Sequence, residues 1–255
     1  GEVRRGRRIV IATGSSPFVP PIEGLEQAGY LTNESVFSLD TVPEHLAVLG
    51  GGPIGIEMAQ AFRRLGSKVT VLMRGDTILP NDDPELATLL QESLVEEGIN
   101  FLTNSDLLRV EKGSDGRRLL TLKVNSGESQ LSVDELLIAT GRQANTNHLD
   151  LAAAGVEENR QGIVVDDHLR TSNRRIYACG DVCGPYRFTH MAEYQAGIVI
   201  TNAAFRLRKR VDYSLIPWVT YTDPELAAVG LSEQQATEQG LDIKVLRFPF
   251  RDIDR

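Results

Sequence analysis

The chain alternates short apolar runs with longer segments in which apolar residues return every three or four positions. From His45 to Asp76 it reads HLAVLGGGPIGIEMAQAFRRLGSKVTVLMRGD. Leu46 to Leu49 form an apolar run of the kind buried in a parallel strand. It breaks at Gly50, Gly51 and Gly52, and Ile54, Met58, Ala59, Phe62 and Leu65 then mark out a helix. A second apolar run, Val69 to Met73, follows Gly66. Strand, glycine turn, helix, strand is the smallest unit that aims backbone N–H groups at a pyrophosphate from a helix N-terminus.

The same patterns extend along the chain. Ile9 to Ala12 predicts a strand running into Thr13-Gly14, the proline-rich PFVPPIEG predicts an extended loop, and Leu31 to Asp40 a connector. Asp83 reads as the N-cap of a helix with Pro84 at its first position, Leu86, Leu90 and Leu94 along one face, and Gly98 at its stop. Ile99 to Leu102 is the next strand. Three runs from Leu107 to Val133, separated by KGSDGRR and NSGE, predict a β-meander, and Glu135 to Thr140 a buried strand. LDLAAAGVEEN predicts a short helix, Ile163 to Val165 and Ile176 to Ala178 strands, and Thr189 to Arg206 a long helix. From Tyr213 the composition shifts: a turn at Asp223-Pro224-Glu225, a strand at Ala227 to Gly230, a capped helix at Ser232 to Gly240 and a strand at Ile243 to Phe250.

The tetrapeptide IATG ends an apolar strand twice, at Ile11–Gly14 and Ile138–Gly141, bracketing the glycine unit. This predicts a nucleotide-binding domain inserted into a second domain, with a crossing point at each edge. The expected boundaries are 1–40 and 143–212 for the interrupted domain, 41–142 for the inserted one, and 213–255 for the opening of a separate α+β unit.

Composition narrows the function. A 255-residue chain that is 41% hydrophobic can bury a sizeable core, and a net charge of -8 disfavours nucleic acid and anionic lipid as partners. The basic clusters Arg4, Arg5, Arg7, Arg8 and Arg206 to Arg210 read as solvated faces. There is no apolar run long enough for a membrane span and no signal peptide before the first strand, so a cytoplasmic protein is expected. His45, His148, His168 and His190 lack zinc-ligand spacing, and no metal site is expected. Cys179 and Cys183 read as packing thiols. The chain opens without a methionine and stops after an apolar run, which suggests a piece of a longer polypeptide.

Gly50, Gly52 and Gly55 fill the G-x-G-x-x-G pattern: a tight turn, close approach of backbone to phosphate, and close packing of helix on strand. Where an NAD site places an acidic residue at the end of the second strand, this chain has Met73 and then Arg74. A guanidinium without a neighbouring carboxylate favours a 2′-phosphate, so the coenzyme expected is NADP, with NAD as the alternative. Asp181, after the strand Ile176 to Ala178, can accept bonds from sugar or ribityl hydroxyls.

In order, IVIATGSSP, VLGGGPIGIE, LLIATGR, TSNRRIYACGDV, THMAEYQAG and WVTYTDPELAAVGLSE resemble the two-dinucleotide flavoprotein disulfide reductases, along essentially the whole chain. GGGPIGIE and the Met73-Arg74 strand end look most like the mercuric reductase branch, and Pro53 stands where the glutathione-reductase-like members carry a gating tyrosine. The resemblance implies an α/β fold: a Rossmann-like NAD(P)-binding domain with a β-meander, inserted in a partial FAD-binding domain, plus the start of an α+β dimerisation domain. It implies hydride transfer from NAD(P)H to FAD and on to a disulfide or thiol-bound substrate, in a homodimer. Gly50, Gly52, Pro53, Ile54, Gly55 and Arg74 would bind the coenzyme. Asp181 and the segment His190, Met191, Ala192 would bind FAD, Thr13, Gly14, Gly141 and Gly180 are further cofactor-binding candidates, and Glu57 would sit near the nicotinamide as the catalytic candidate. The family's first glycine fingerprint and its C-x-x-x-x-C redox pair have no counterpart here, so these 255 residues alone are expected to turn over little or not at all. The alternatives are a flavin oxidase or transhydrogenase without a redox disulfide, and a non-catalytic nucleotide-binding module.

Overall fold

The computed structural model describes residues 5–124, 127–249 and 252. In chain order, β1 is Ile9–Ile11, β2 Ser15–Pro17 and α1 Leu25–Ala28, followed by β3 His45–Leu49, α2 Pro53–Arg64 and β4 Lys68–Leu72. Next come α3 Pro84–Glu96, β5 Asn100–Leu102, β6 Ser105–Lys112, β7 Arg118–Val124, β8 Gly127–Val133 and β9 Glu135–Ile138. The remainder is β10 Arg142–Ala144, β11 Glu158–Asn159, β12 Gly162–Ile163, β13 Ile176–Ala178, α4 Thr189–Ala203, β14 Pro217–Thr220, β15 Leu226–Val229 and α5 Glu233–Glu238.

The centre is a parallel sheet in the order β5-β4-β3-β9. Every residue of β3 is buried because both faces of the sheet are covered. Leu46 and Val48 face the helix layer, with Ile56, Ala59 and Phe62 of α2 and Leu90 and Leu94 of α3. Ala47 and Leu49 face the other way, onto Leu120 and Leu122 of β7 and Val133 of β8. A strand packed on both sides cannot afford alternation, which is why HLAVL reads as an unbroken apolar run. The antiparallel meander β6-β7-β8 forms the second cover, and each fully buried Leu or Val contributes about 1.5–3 kcal/mol to holding the layers together.

The two IATG copies meet. β1 pairs in parallel with β13, Ile9 against Ile176, and β2 pairs antiparallel with β10, Ser15 against Ala144. Thr13 Oγ1 donates to the Asn145 carbonyl at 2.6 Å and Asn145 Nδ2 donates back to the Thr13 carbonyl at 3.0 Å. Thr140 Oγ1 donates to the Phe18 carbonyl at 2.7 Å. Chain entering and leaving the central sheet is thus stitched together at one place.

Several elements differ from expectation. LDLAAAGVEEN forms turns and not a helix, because His148 and Asp150 adopt φ values of 66° and 50°, which break the helical path before it can propagate. The strand expected at Ile163 to Val165 is the two-residue β12. The long helix α4 ends at Ala203, short of Arg206, whose φ is 59°. Residues 243–249 form no strand, since no ladder partner lies beside them; Phe250 is outside the described residues, as are Arg4 and the Asn125-Ser126 turn. The PFVPPIEG loop carries the end of β2, and the four-residue α1 follows it. No helix among the described residues is long and apolar enough to cross a membrane.

Candidate functional site

The chain runs from β3 to β4 on one side and to β9 on the other, so the carboxyl end of β3 is the point at which strand order reverses. An open α/β sheet binds ligands in the crevice at such a point. A cleft of about 1540 Å³ opens there, lined by Leu49, Leu72 and Ile138 at the strand ends and by Gly50, Gly51, Gly52, Pro53 and Ile54 at the start of α2.

The three fingerprint glycines divide into two kinds. Gly50 has φ 124°, and a Cβ built there would lie 2.3 Å from the Ala139 carbonyl oxygen; one on Gly55 would lie 2.1 Å from the Gly50 carbonyl oxygen. Both are required by the fold itself, one by its turn and the other by the close approach of α2 to the strand end. A Cβ on Gly52 would meet nothing within 4 Å. Gly52 is the N-cap of α2 and no side chain caps that end, whereas the Asp83 carboxylate caps α3 through the N–H groups of Glu85 and Leu86. The N–H groups in the first turn of α2 are therefore left for a ligand, and the helix dipole makes an anion the favoured one.

Arg74 also lines the cleft, past the buried Met73 at the end of β4. Its Nε donates to Asp106 Oδ1 at 2.7 Å. The opposite wall comes from the segment after β13 and from the tail: Tyr186, Arg187, Phe188, Tyr213, Trp218 and Thr220. Gly141 joins this lining.

Against this geometry, the profile of the family described as "Pyridine nucleotide-disulphide oxidoreductase" matches residues 3–196, and that of its dimerisation domain residues 216–255. The chain belongs to the pyridine nucleotide-disulphide oxidoreductase family. Mercuric reductase from Lysinibacillus sphaericus is 41% identical over 256 residues, covering 100% of this chain and 47% of the relative. Dihydrolipoyl dehydrogenase from Bacillus subtilis (strain 168) is 34% identical over 249 residues, covering 98% of this chain and 54% of the relative. Among solved structures, the HOCl-induced flavoprotein disulfide reductase RclA from Escherichia coli superposes with a TM-score of 0.86 at 34% identity, covering 96% of this chain and 56% of that one. The chain thus spans about half the length of the relatives it matches. Its architecture is the Rossmann-like one of the flavoprotein disulfide reductases.

Within the oxidoreductase fold the expected residues fall into three groups. Gly50, Gly52, Pro53, Ile54, Arg74 and Gly141 line the cleft, and Gly55 packs directly behind it. Thr13, Gly14, Gly180 and Asp181 gather at the stitched crossing. There Ser15 Oγ donates to Asp181 Oδ2 at 2.7 Å, and Arg142 Nε donates to Ser15 Oγ at 2.7 Å while lying 3.7 Å from Asp181 Oδ2. Ser15 and Arg142 each follow an IATG copy, a signal that points to them once the copies are seen to meet. Their bonds fix the partly buried Asp181 carboxylate just past the end of β13, so the donor set fits a polyhydroxyl ligand such as a ribityl chain. The third group is on α4: Met191 is buried, Ala192 packs near Gly180, and the exposed His190 ring stacks on Phe188 at 5.3 Å between centroids.

Glu57 stands apart from the cleft lining. Its Oε1 accepts from the Tyr221 N–H at 2.9 Å. Three residues on, Gln60 donates to the Asp223 carbonyl at 2.7 Å and accepts from the Asp223 N–H at 2.9 Å. Arg64 reaches both Glu97 and Asp223, at 2.8 Å and 2.9 Å. Positions 57, 60 and 64 share one face of α2, and this face holds the tail. The sequence reading missed that latch, and also the bond from Trp218 Nε1 to Asp82 Oδ1 at 2.6 Å across the cleft mouth. Burial raises the pKa of Asp82, with the Trp218 N–H opposing the shift.

Cys179 and Cys183 are free and buried. Burial pushes the Cys183 thiol up to about 12, helped by the neighbouring Cys179 and Asp181, and burial raises Cys179 as well. Neither is a thiolate near neutrality, so neither has the nucleophile that disulfide chemistry requires. Among the described residues no group of three or more His, Cys, Asp or Glu side chains is gathered as a metal would need.

Proposed function

We propose that this chain is the coenzyme-binding core of an FAD-dependent NAD(P)H oxidoreductase, passing hydride from NADPH to FAD and on to a disulfide or thiol-bound substrate. The observation that carries this reading is Gly52: the fold leaves the space beside it open and gives its helix no side-chain cap. When bound, the two cofactors supply the hydride and electron chemistry. The chain binds and orients. Gly50 to Ile54 offer backbone N–H groups and the positive end of α2 to a pyrophosphate. Arg74 offers a guanidinium to a 2′-phosphate. Ser15 and Arg142 hold Asp181 in place for ribityl hydroxyls, and the start of α4 at His190 to Ala192 would offer its positive helix end to a bound flavin ring. Glu57 acts as a positioning residue, fixing the tail that walls the cleft.

The sulfur step needs a thiol pair of lower pKa than Cys179 and Cys183, and we assign these two to packing. The tail, matched over 216–255 by the dimerisation domain profile, exposes Tyr221, Val229 and Leu231; we assign that apolar surface to the contact between two subunits of a homodimer.

Gly52→Ala tests the reading. A methyl fits the open space at an ordinary φ of -80°, so the stability cost is that of replacing a glycine N-cap by alanine, about 0.5–1 kcal/mol or a few degrees in thermal midpoint. The same methyl obstructs N–H bonds to phosphate worth about 1.5–3 kcal/mol, so NADPH affinity falls roughly tenfold or more. Undiminished NADPH affinity in this variant would show that the coenzyme does not lie on the α2 N-terminus.

A further inference from the structure

Met73 fills the place where an acidic residue would meet the adenosine ribose, and it is 5% exposed, packed beside Gly51. Discrimination at the 2′ position therefore falls to Arg74, which lines the cleft, and to the carboxylate paired with it. Arg74 is 86% exposed and Asp106 51% exposed, with Nε and Oδ1 2.7 Å apart. Their juxtaposition is built by the backbone. The Ser105 N–H donates to the Met73 carbonyl at 3.0 Å, Ser105 Oγ donates to the same oxygen at 3.4 Å, and the Asn104 N–H donates to the Gly75 carbonyl at 3.2 Å. The start of β6 is thus zipped to the segment after β4, and this carries Asp106 to Arg74.

We propose that Asp106 is a specificity-determining residue of the coenzyme site: its carboxylate occupies the Arg74 guanidinium that a 2′-phosphate would take, and so narrows the preference for NADPH over NADH. The proposal rests on the coenzyme reading above. A phosphate dianion offers Arg74 stronger, bidentate bonds than one carboxylate oxygen, but it must first displace that oxygen. NADH makes no claim on Arg74 and meets no such competition. The carboxylate thus acts as a built-in competitor, supplied by the strand after α3 and β5 and not by the strand end where an acidic residue is normally sought.

The test is calorimetric titration of NADP⁺ and NAD⁺ into the full-length protein loaded with FAD, at low ionic strength, as wild type, D106N, R74A and the double variant. D106N should tighten NADP⁺ by about 1.5-fold to fivefold, the span an exposed ion pair commands, and leave NAD⁺ unchanged. The gain should vanish in the R74A background. Asp106→Ala should repeat the result, which guards against a side effect of the amide. Unchanged or weaker NADP⁺ binding in D106N, equal tightening of both nucleotides, or a gain that survives R74A would each overturn the proposal while leaving the coenzyme reading intact. Failure of wild type to bind either nucleotide would overturn the coenzyme reading itself, and the proposal with it.

Discussion

The central sheet and the tail after Tyr213 are held by different physics. Leu46, Ala47 and Val48 of β3 are 0% exposed and sealed between helix and meander. The tail leaves Leu215, Tyr221 and Leu246 at 75%, 77% and 79% exposed; it sends Leu226 into the cluster that holds Leu46 and Val48, and otherwise reaches the rest of the chain through a few polar contacts. Glu57 holds Tyr221, Gln60 and Arg64 hold Asp223, Asp82 holds Trp218, and Arg247 bridges Glu85 and Glu233. Apolar burial is tolerant of the identity of each neighbour, whereas a polar latch depends on a few atoms. The sheet should therefore answer to loss of volume, and the tail to loss of single donors and acceptors.

The largest effect separates them outright. Leu46→Ala removes a fully enclosed side chain and should cost about 2–5 kcal/mol of global stability in urea unfolding. Leu246→Ala, on a side chain already in water, should stay within about 0.5 kcal/mol. Equal costs would mean that the tail is covered in solution as thoroughly as the sheet.

Next is the latch. Gln60 is 4% exposed, and truncation to Ala leaves the Asp223 N–H without its partner and the Asp223 carbonyl with only the longer 3.5 Å bond from Arg64. A loss of about 1–3 kcal/mol is expected, confined to docking of the tail. Trp218 is the chain's single tryptophan, so its emission reports tail docking directly. Gln60→Ala should shift that emission to the red at denaturant concentrations where far-ultraviolet circular dichroism still shows the folded sheet.

The sheet has a polar weak point of its own. His45 is buried on β3, its Nε2 2.9 Å from Thr70 Oγ1, with its backbone N–H given to Asp134. Burial lowers its pKa, and Lys68 and Arg117 lower it further, against opposing contributions from Asp134 and the Ser132 backbone. A folded-state pKa below the unfolded one means that the neutral ring is favoured by folding. Its contribution is whole above the unfolded value of about 6.5 and is lost as pH falls below that towards the folded pKa. The urea midpoint should thus decline on acidification below neutrality, and His45→Gln should flatten that decline without altering Trp218 emission.

What could be read beforehand follows the same division. The β3–α2–β4 unit was legible because each residue's neighbours in sequence are also its structural context: an apolar run, a glycine turn, a 3.6-residue stripe. The meander and the Asp83 cap were legible for the same reason. Gln60, Arg64 and Glu97 carried no such signal, since their partners lie far along the chain and a solvated helix face has the same composition. Glu57 was singled out by resemblance, yet the contact it makes is with Tyr221. Asp106 was invisible because nothing in the sequence ties a carboxylate on β6 to the end of β4. The strand expected at Ile243 to Phe250 failed for the converse reason: apolar alternation cannot make a strand without an edge to pair with.

The smallest effect compares one interaction in both regions. Asp83 caps α3 and Ser232 caps α5, the latter in a reciprocal capping box with Gln235. Each is worth about 1 kcal/mol to its helix. α3 packs its Leu90 and Leu94 into the sheet core, so losing its cap weakens the cooperative unit: Asp83→Ala should lower the global urea midpoint. α5 buries only Ala236, so Ser232→Ala should leave that midpoint in place and raise amide exchange only across Glu233–Glu238. The same bond would then be felt globally in one region and locally in the other, because one helix is an integral part of a sealed core and the other is attached to its outside. A global shift from Ser232→Ala equal to that from Asp83→Ala would show instead that the tail folds as one unit with the sheet.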